Sequence, residues 1–270
     1  MSINQTVSTI IATYNRPDFI IRACESVLEQ KRINVELIIV DDYSQQDYTD
    51  KINHLKSRYS QIPIKYIKND VNLGYAASVN IGFKESTGNY VAFLGDDDFW
   101  TDEFKLYKQY MLICEDKKTF STTDWYEFNE KNKIQKSGLE KIRKLKQNIL
   151  VGNGFLCGST PLIHSCHFQA YGFDEKIKKG IDSDFFRRSI LSGYKIAYLN
   201  ECTTAVDVGG HVRMTPEDSF KSSRIQLWSY TYTYFKYWNH YLVNFYALVH
   251  RTYNYLRIIK NLLFNLFKRK

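Results

Sequence analysis

The sequence predicts an α/β fold, a mostly parallel sheet with helices on both faces, followed by an amphipathic helical tail. Three observations predict it. Short apolar runs alternate with helix-period segments through the first hundred residues. Each of three such runs ends in polar residues that share one rim of the expected sheet. Beyond Pro216 there is neither Pro nor Gly, and apolar residues recur at three- and four-residue steps.

In chain order, Val7 to Ala12 reads as a first buried strand, followed by Thr13-Tyr14-Asn15-Arg16-Pro17. Pro17 suits the first turn of a helix running to about Gln30, with Ile20, Ala23, Val27 and Leu28 inward. Leu37 to Val40 is a second strand, closed by Asp41-Asp42. Tyr48 to Tyr59 reads as a helix, Ile64 to Ile67 as a strand, Tyr75 to Glu85 as a helix and Tyr90 to Leu94 as a fourth strand ending at Asp96-Asp97-Asp98. In open α/β sheets ligands bind beyond the carboxyl ends of the strands, where these polar groups gather. The region from 101 to 210 is more mixed. Gly152-Asn153-Gly154 and Gly158 mark loops, Asp182 to Leu191 a helix, and Lys195 to Leu199 a further strand.

The chain has 270 residues and 44% hydrophobic composition, enough for a sizeable core. Its net charge of +8 is unevenly spread: Ser219 to Lys270 holds nine Lys/Arg and no Asp/Glu, so the remainder is close to neutral. Aromatic residues crowd Trp228 to Tyr241, and Leu242, Phe245, Val249, Thr252, Leu256, Ile259, Leu263 and Leu266 form a helical stripe. Trp and Tyr favour the boundary between hydrocarbon and water, so the tail is expected to lie on an anionic membrane surface. The other reading is a helical hairpin packed on the catalytic part or on a second subunit, which would make a homo-oligomer. Five scattered cysteines without a CxxC spacing fit neither a disulfide framework nor a zinc site. No signal-peptide pattern and no apolar run of about 18 residues is found. A cytoplasmic location, peripheral on the inner face of the cell membrane, is therefore expected. A nucleic-acid partner would explain the basic tail but not three acid-tipped strand ends, since carboxylates repel phosphates; no nucleic acid is expected.

Three adjacent carboxylates at a strand end make a site for a hard cation, which could bridge phosphate oxygens. The alternative is a solvated acidic loop. The segments Val7-Ser8-Thr9-Ile10-Ile11-Ala12-Thr13-Tyr14-Asn15-Arg16, Ile38-Ile39-Val40-Asp41-Asp42-Tyr43-Ser44, Asn72-Leu73-Gly74 with Asn80-Ile81-Gly82, and Gly88 through Trp100 resemble glycosyltransferase family 2, with its GT-A fold. Phe173-Asp174-Glu175 and Gly180-Ile181-Asp182-Ser183-Asp184-Phe185 give a weaker match. The resemblance covers about residues 5 to 215. It implies a catalytic domain over 1–215, with a nucleotide-binding half at 1–100 and an acceptor half at 101–215, and a tail at 216–270. It implies inverting transfer from a nucleotide sugar, a UDP-hexose or UDP-N-acetylhexosamine. A lipid-linked polyprenyl-diphosphate saccharide is the expected acceptor, in surface polysaccharide or O-antigen assembly. An inactive sugar-binding relative would need a broken acid cluster or a missing base, and neither is seen.

By the same resemblance, Ala12 and Tyr14 line the base pocket, Arg16 is among the residues binding the nucleotide, Asp42 accepts from the nucleobase, and Asn72, Gly74 and Ser78 belong to a segment closing over the nucleoside. Aligned on Phe99-Trp100, Gly95 stands where the family often has an acid. Asp96 then faces the ribose, and Asp97, with Asp98 beside it, holds Mn2+ or Mg2+. Read as a bare Asp-x-Asp, the pair is Asp96 and Asp98. Asp182 is the expected general base, with Ile181 replacing a usual acid and Asp184 as its rival; an Asp opening a helix could equally be a simple cap. His211 could complete the metal shell and Arg213 neutralise phosphate, or His211 could be an ordinary loop histidine. His164, His167, His240 and His250 have no comparable context.

Overall fold

A computed structural model describes residues 5–129, 132–137, 139, 142, 149–150, 156–209, 220–242 and 245–267. Among them, nine strands form one sheet in the order β3-β2-β1-β4-β8-β6-β9-β5, with β7 on β6. The strands are β1 (Thr6–Thr13), β2 (Asn34–Asp41), β3 (Ile64–Lys68), β4 (Tyr90–Phe93), β5 (Phe99–Trp100), β6 (Thr119–Phe128), β7 (Lys133–Lys136), β8 (Leu162–His164) and β9 (Lys195–Asp207). β3, β2, β1 and β4 run parallel. β8 reverses direction against β4 and β6, while β6 and β9 are parallel.

β1 and β2 follow from side-chain alternation. Ile11, Leu37 and Ile39 enter a core with Ile20, Ala23 and Val27 of α1 (Ile20–Leu28) and Ile52 and Leu55 of α2 (Thr49–Arg58). Ile10, Ile38 and Val40 enter the opposite core, with Ala76 and Val79 of α3 (Tyr75–Lys84) and Phe168, Phe185 and Phe186. Consecutive isoleucines thus serve two faces, which is why these strands read as continuous apolar runs. The remaining helices are α4 (Lys105–Ile113), α5 (Ser165–Tyr171), α6 (Ile181–Leu191), α7 (Phe220–Lys236), α8 (Trp238–Leu242) and α9 (Phe245–Phe267).

Two expectations change. Pro17 lies in a turn before α1 rather than in its first turn. The strand expected at Lys195 to Leu199 continues through a polar stretch to Asp207, because it pairs with β6 along its length. That extension carries it to the acid loop.

The tail packs on the rest of the chain through one face and bares another. Tyr237, Tyr241 and Ala247 form a small core with Ile149 and Leu150. Arg251, fully buried, lies 3.9 Å over the Tyr230 ring and donates to Thr233 Oγ1 at 3.1 Å. Within the apolar stripe picked out by periodicity, Val249, Thr252 and Leu256 are exposed, as are Trp228, Phe235 and Tyr253 elsewhere in the tail. No helix among the described residues is long and apolar enough to cross a membrane.

Candidate functional site

The rim at the carboxyl ends of β1, β2 and β4 is built by hydrogen bonds between their loops. Asn15 takes a left-handed conformation (φ 53°), which Asn tolerates better than most residues. It clips the turn after β1 to the turn after β2: its N–H donates to Ser44 Oγ at 2.9 Å, and its Oδ1 accepts from Gln45 N–H at 2.8 Å. The Arg16 N–H donates to the Tyr48 hydroxyl at 2.7 Å. These bonds aim the Arg16 side chain at the acids.

Asp42 is fully buried and shapes the loop from Asn69 to Gly74. Its Oδ1 accepts from Asn69 Nδ2 (3.0 Å) and Leu73 N–H (2.8 Å), and its Oδ2 from Gly74 N–H (2.8 Å). Gly74 has φ 89°, a conformation that favours glycine, and α3 begins at the next residue. Asn72 reaches back to the Asp42 carbonyl at 3.2 Å, and buried Ser78 accepts from Asn69 Nδ2 at 3.1 Å. Asp42, Asn72, Gly74 and Ser78 are therefore one loop-building unit. Ala12 is buried at the end of β1, and Tyr14 beyond it is half-buried.

The three acids differ. Asp96 accepts from Thr13 Oγ1 at 2.8 Å and Arg16 Nη1 at 3.0 Å. Burial pushes its pKa up to about 6; Arg16 opposes the shift and Asp97 adds to it. Asp98 is tied on both oxygens, to Ser159 Oγ at 2.5 Å and to the Asp207 N–H at 3.2 Å. Burial, helped by the Asp97 charge, pushes it up to about 7. Asp97 meets Arg16 at 2.7 Å, and its side chain is 17% exposed against 3% for Asp96. The most accessible carboxylate of the three is therefore Asp97. A side chain at Gly95 would bring its Cβ within 2.9 Å of Asp98 Oδ2 and 3.1 Å of Asp97 Oδ1, so an acid there would crowd both.

Among the described residues no three His, Cys, Asp or Glu side chains form a metal cage. The donor chemistry still suits a hard cation, since Mg2+-type ions are held by one or two carboxylates with phosphates and water completing the shell. His211 and Arg213 lie outside the described residues.

Asp182 is the second residue of α6, behind Gly180, so it is not the residue that caps the helix. Its Oδ1 accepts from Ser183 N–H at 2.8 Å. A Cβ on Gly158 would stand 3.5 Å from its Oδ2, which places Asp182 beside the loop that carries Ser159 and, through it, Asp98. Burial raises its pKa, with the Ser183 N–H pulling the other way. The rival, Asp184, is fully buried and bonded to Arg188, Lys236 and Tyr237.

Sequence reasoning missed Gly158 as the surface facing Asp182, Ser159 as the partner of Asp98, and Tyr75. Burial raises the Tyr75 hydroxyl's pKa, and the charges of Asp182, Asp98 and Asp96 add to the shift. Tyr75 thus lies within the field of both the acid loop and Asp182. Arg22 was missed as well; it donates to the Asp97 carbonyl at 2.7 Å and to Asp207 at 3.3 Å. Gly158 carried a signal as a small residue in a marked loop, and Tyr75 lies within the segment from Asn72 to Ser78 expected to close over the nucleoside.

Sheet order, rim and facing helix together define a GT-A domain. The glycosyl transferase family 2 model matches residues 8–172, and the chain belongs to that family. It is 31% identical over 219 residues to an uncharacterized glycosyltransferase of Rickettsia felis, covering 76% of this chain and 33% of the relative. It is 38% identical over 122 residues to the UDP-Glc:alpha-D-GlcNAc-diphosphoundecaprenol beta-1,3-glucosyltransferase WfaP of Escherichia coli, covering 45% of this chain and 47% of the relative. The chain thus spans about a third to a half of these relatives' length. Among solved structures, S. aureus TarS with UDP-GlcNAc has a TM-score of 0.66 at 17% identity, over 84% of this chain and 66% of TarS. A mannosyltransferase of Pyrobaculum calidifontis with GDP-Man and Mn2+ has a TM-score of 0.61 at 12% identity, over 84% of this chain and 63% of the other. At these identities the likeness establishes the fold.

Proposed function

We propose that this chain is an inverting glycosyltransferase. It moves a sugar from a UDP-hexose or UDP-N-acetylhexosamine to a hydroxyl of a saccharide carried on a polyprenyl diphosphate, in surface polysaccharide or O-antigen assembly. The observation that carries this reading is the pairing of an accessible acid, Asp97, with Asp182 beside the same loop region. The relatives supply the substrate classes: TarS was crystallised with UDP-GlcNAc, and the E. coli relative is described as using UDP-Glc and a diphosphoundecaprenol acceptor.

In this reading the loop from Asn69 to Gly74, held by Asp42, closes against the nucleoside, with Ala12 and Tyr14 beside it. Mn2+ or Mg2+ held at Asp97 would neutralise charge on the departing diphosphate. Asp98 ties the acid loop to the loop carrying Ser159, and Arg16 balances Asp96 and Asp97 until the donor enters. Asp182 removes the proton of the acceptor hydroxyl as its oxygen bonds to the anomeric carbon. The bond from that carbon to the diphosphate oxygen breaks, the electron pair leaves with the nucleoside diphosphate, and the configuration inverts. A carboxylate with a raised pKa is a stronger base, which suits Asp182 to this step.

The exposed stripe of Trp228, Phe235, Tyr253, Val249 and Leu256 beside Arg257 and Lys260 supports peripheral binding to the cytoplasmic face of an anionic membrane. There it would meet a lipid-linked acceptor.

The test is hydrolysis of UDP-glucose, UDP-GlcNAc, UDP-galactose and GDP-mannose without acceptor, with and without Mn2+. Manganese-dependent release of UDP from at least one UDP sugar is expected. Cleavage of GDP-mannose alone, or equal rates without metal, contradicts the donor and metal assignments.

A further inference from the structure

The tail's inward face grips the segment that carries Asp182. Ser229, Tyr232 and Lys236 of α7 share one helix face by their spacing, and Tyr237 follows directly after the helix's last residue. Ser229 Oγ accepts from the N–H groups of Lys178 (3.1 Å) and Lys179 (3.3 Å). Tyr232 donates to Asp174 Oδ2 at 3.1 Å. Lys236 Nζ bridges Asp174 (2.6 Å) and Asp184 (3.1 Å), and the Tyr237 hydroxyl donates to Asp184 Oδ1 at 2.6 Å. Arg188 completes the shell of Asp184 at 2.9 Å and also holds the carbonyls of Tyr171 and Gly172, each at 2.8 Å. Asp184 is fully buried, and these partners satisfy both of its carboxylate oxygens.

Rotation about the helix axis links this cluster to the reaction site. Successive helical residues turn by about 100°, so Asp182 points roughly 200° away from Asp184. Pinning Asp184 against α7 fixes which way Asp182 faces, toward Gly158. A general base must lie within hydrogen-bond reach of the proton it takes, and about 1 Å of displacement can cost on the order of 100-fold.

We propose that α7 is a positioning element for the acceptor side of the site, with Lys236 and Tyr237 as positioning residues that hold Asp184 and so orient Asp182. The inference rests on the reading of Asp182 as the base. It makes the tail part of the catalytic apparatus as well as a membrane contact.

The test uses the full chain with Lys236→Met, Tyr237→Phe and Lys236→Arg. The assay is Mn2+-dependent hydrolysis of the fastest-cleaved sugar of the panel, beside UDP binding by calorimetry and amide hydrogen exchange. Lys236→Met is expected to lower kcat about 10- to 100-fold. UDP affinity stays within about twofold of the native chain, exchange rises at 178–186 and not at 95–98, and Lys236→Arg recovers most of the loss. Tyr237→Phe, which removes one hydroxyl and leaves the ion pairs, is expected to act in the same direction more weakly. Native kcat alongside faster exchange at 178–186 overturns the proposal, as does a parallel loss of UDP affinity and kcat. Asp182→Asn separates the two readings. If it still turns over, the base assignment falls. If it is inactive while Lys236→Met has native kcat, only the positioning role of α7 falls.

Discussion

Asp96, Asp97 and Asp98 are packed together and Arg16 pairs with the first two, whereas Asp182 stands beside Gly158 without an ion-pair partner among the described residues. The difference matches two kinds of chemistry. A cation site needs concentrated negative charge with a compensating partner that can give way. A base needs one carboxylate whose proton affinity is raised by its surroundings. Asp96 and Asp97 are held by Thr13 and Arg16 after β1, Asp98 by Ser159 and the Asp207 N–H, and Asp182 lies on a helix whose Asp184 is bonded to the tail.

The sharpest way to break this comparison is to neutralise the lone carboxylate. Asp182→Asn is expected to lower turnover about 100- to 10,000-fold, with UDP binding kept. In the native chain the acidic limb of the kcat–pH profile should lie above the ordinary Asp range, because burial raises this group. An acidic limb at or below that range would remove Asp182 from the role.

A smaller effect concerns the outer face of the tail. Trp228→Ser with Phe235→Ser is expected to weaken binding to vesicles of phosphatidylglycerol and phosphatidylcholine by about 10-fold or more, given the apolar area withdrawn. Turnover of a soluble donor should not change. Undiminished vesicle binding would move the membrane contact away from this face.

The smallest effect separates Asp98 from its neighbours by pH. Asp98 binds its proton with a pKa of about 7 in the folded chain, against an ordinary value of 3.8. The folded state therefore holds more protons between these values. The stability this group contributes is full below about pH 4 and is lost as pH rises through about 7. Asp98→Asn removes that loss, so its Tm should exceed the native Tm clearly at pH 8 and by little at pH 4. Equal differences at both pH values would contradict the shift.

The first hundred residues were legible because their strands are apolar on both faces and their loops carry Asn, Gly and Asp where turns need them. The middle was not, because β6 is a buried strand made largely of hydroxyls. Thr122 meets Thr160 at 2.7 Å and Thr203 donates to Thr123 at 2.9 Å, so hydrogen bonding lets these threonines enter the core beside Phe120. Ser159 carried no sequence signal because its partner Asp98 is 61 residues away. The periodic stripe of the last helix was read correctly as a face, but Val249 and Leu256 look outward while Arg251 is buried. Periodicity identifies a stripe and not what covers it. In α7, Tyr230, Tyr232 and Tyr234 alternate like a strand, which hid the helix face formed by Ser229, Tyr232 and Lys236.

The central claim is that Asp97 serves the metal and diphosphate while Asp182 serves the acceptor. Calorimetric titration of UDP with and without Mn2+ into Asp97→Asn and Asp182→Asn, each paired with a turnover assay, tests it directly. Asp97→Asn should lose the manganese-dependent part of UDP affinity, and Asp182→Asn should keep it while losing turnover. Unchanged manganese dependence in Asp97→Asn, or native turnover in Asp182→Asn, would contradict the division of labour.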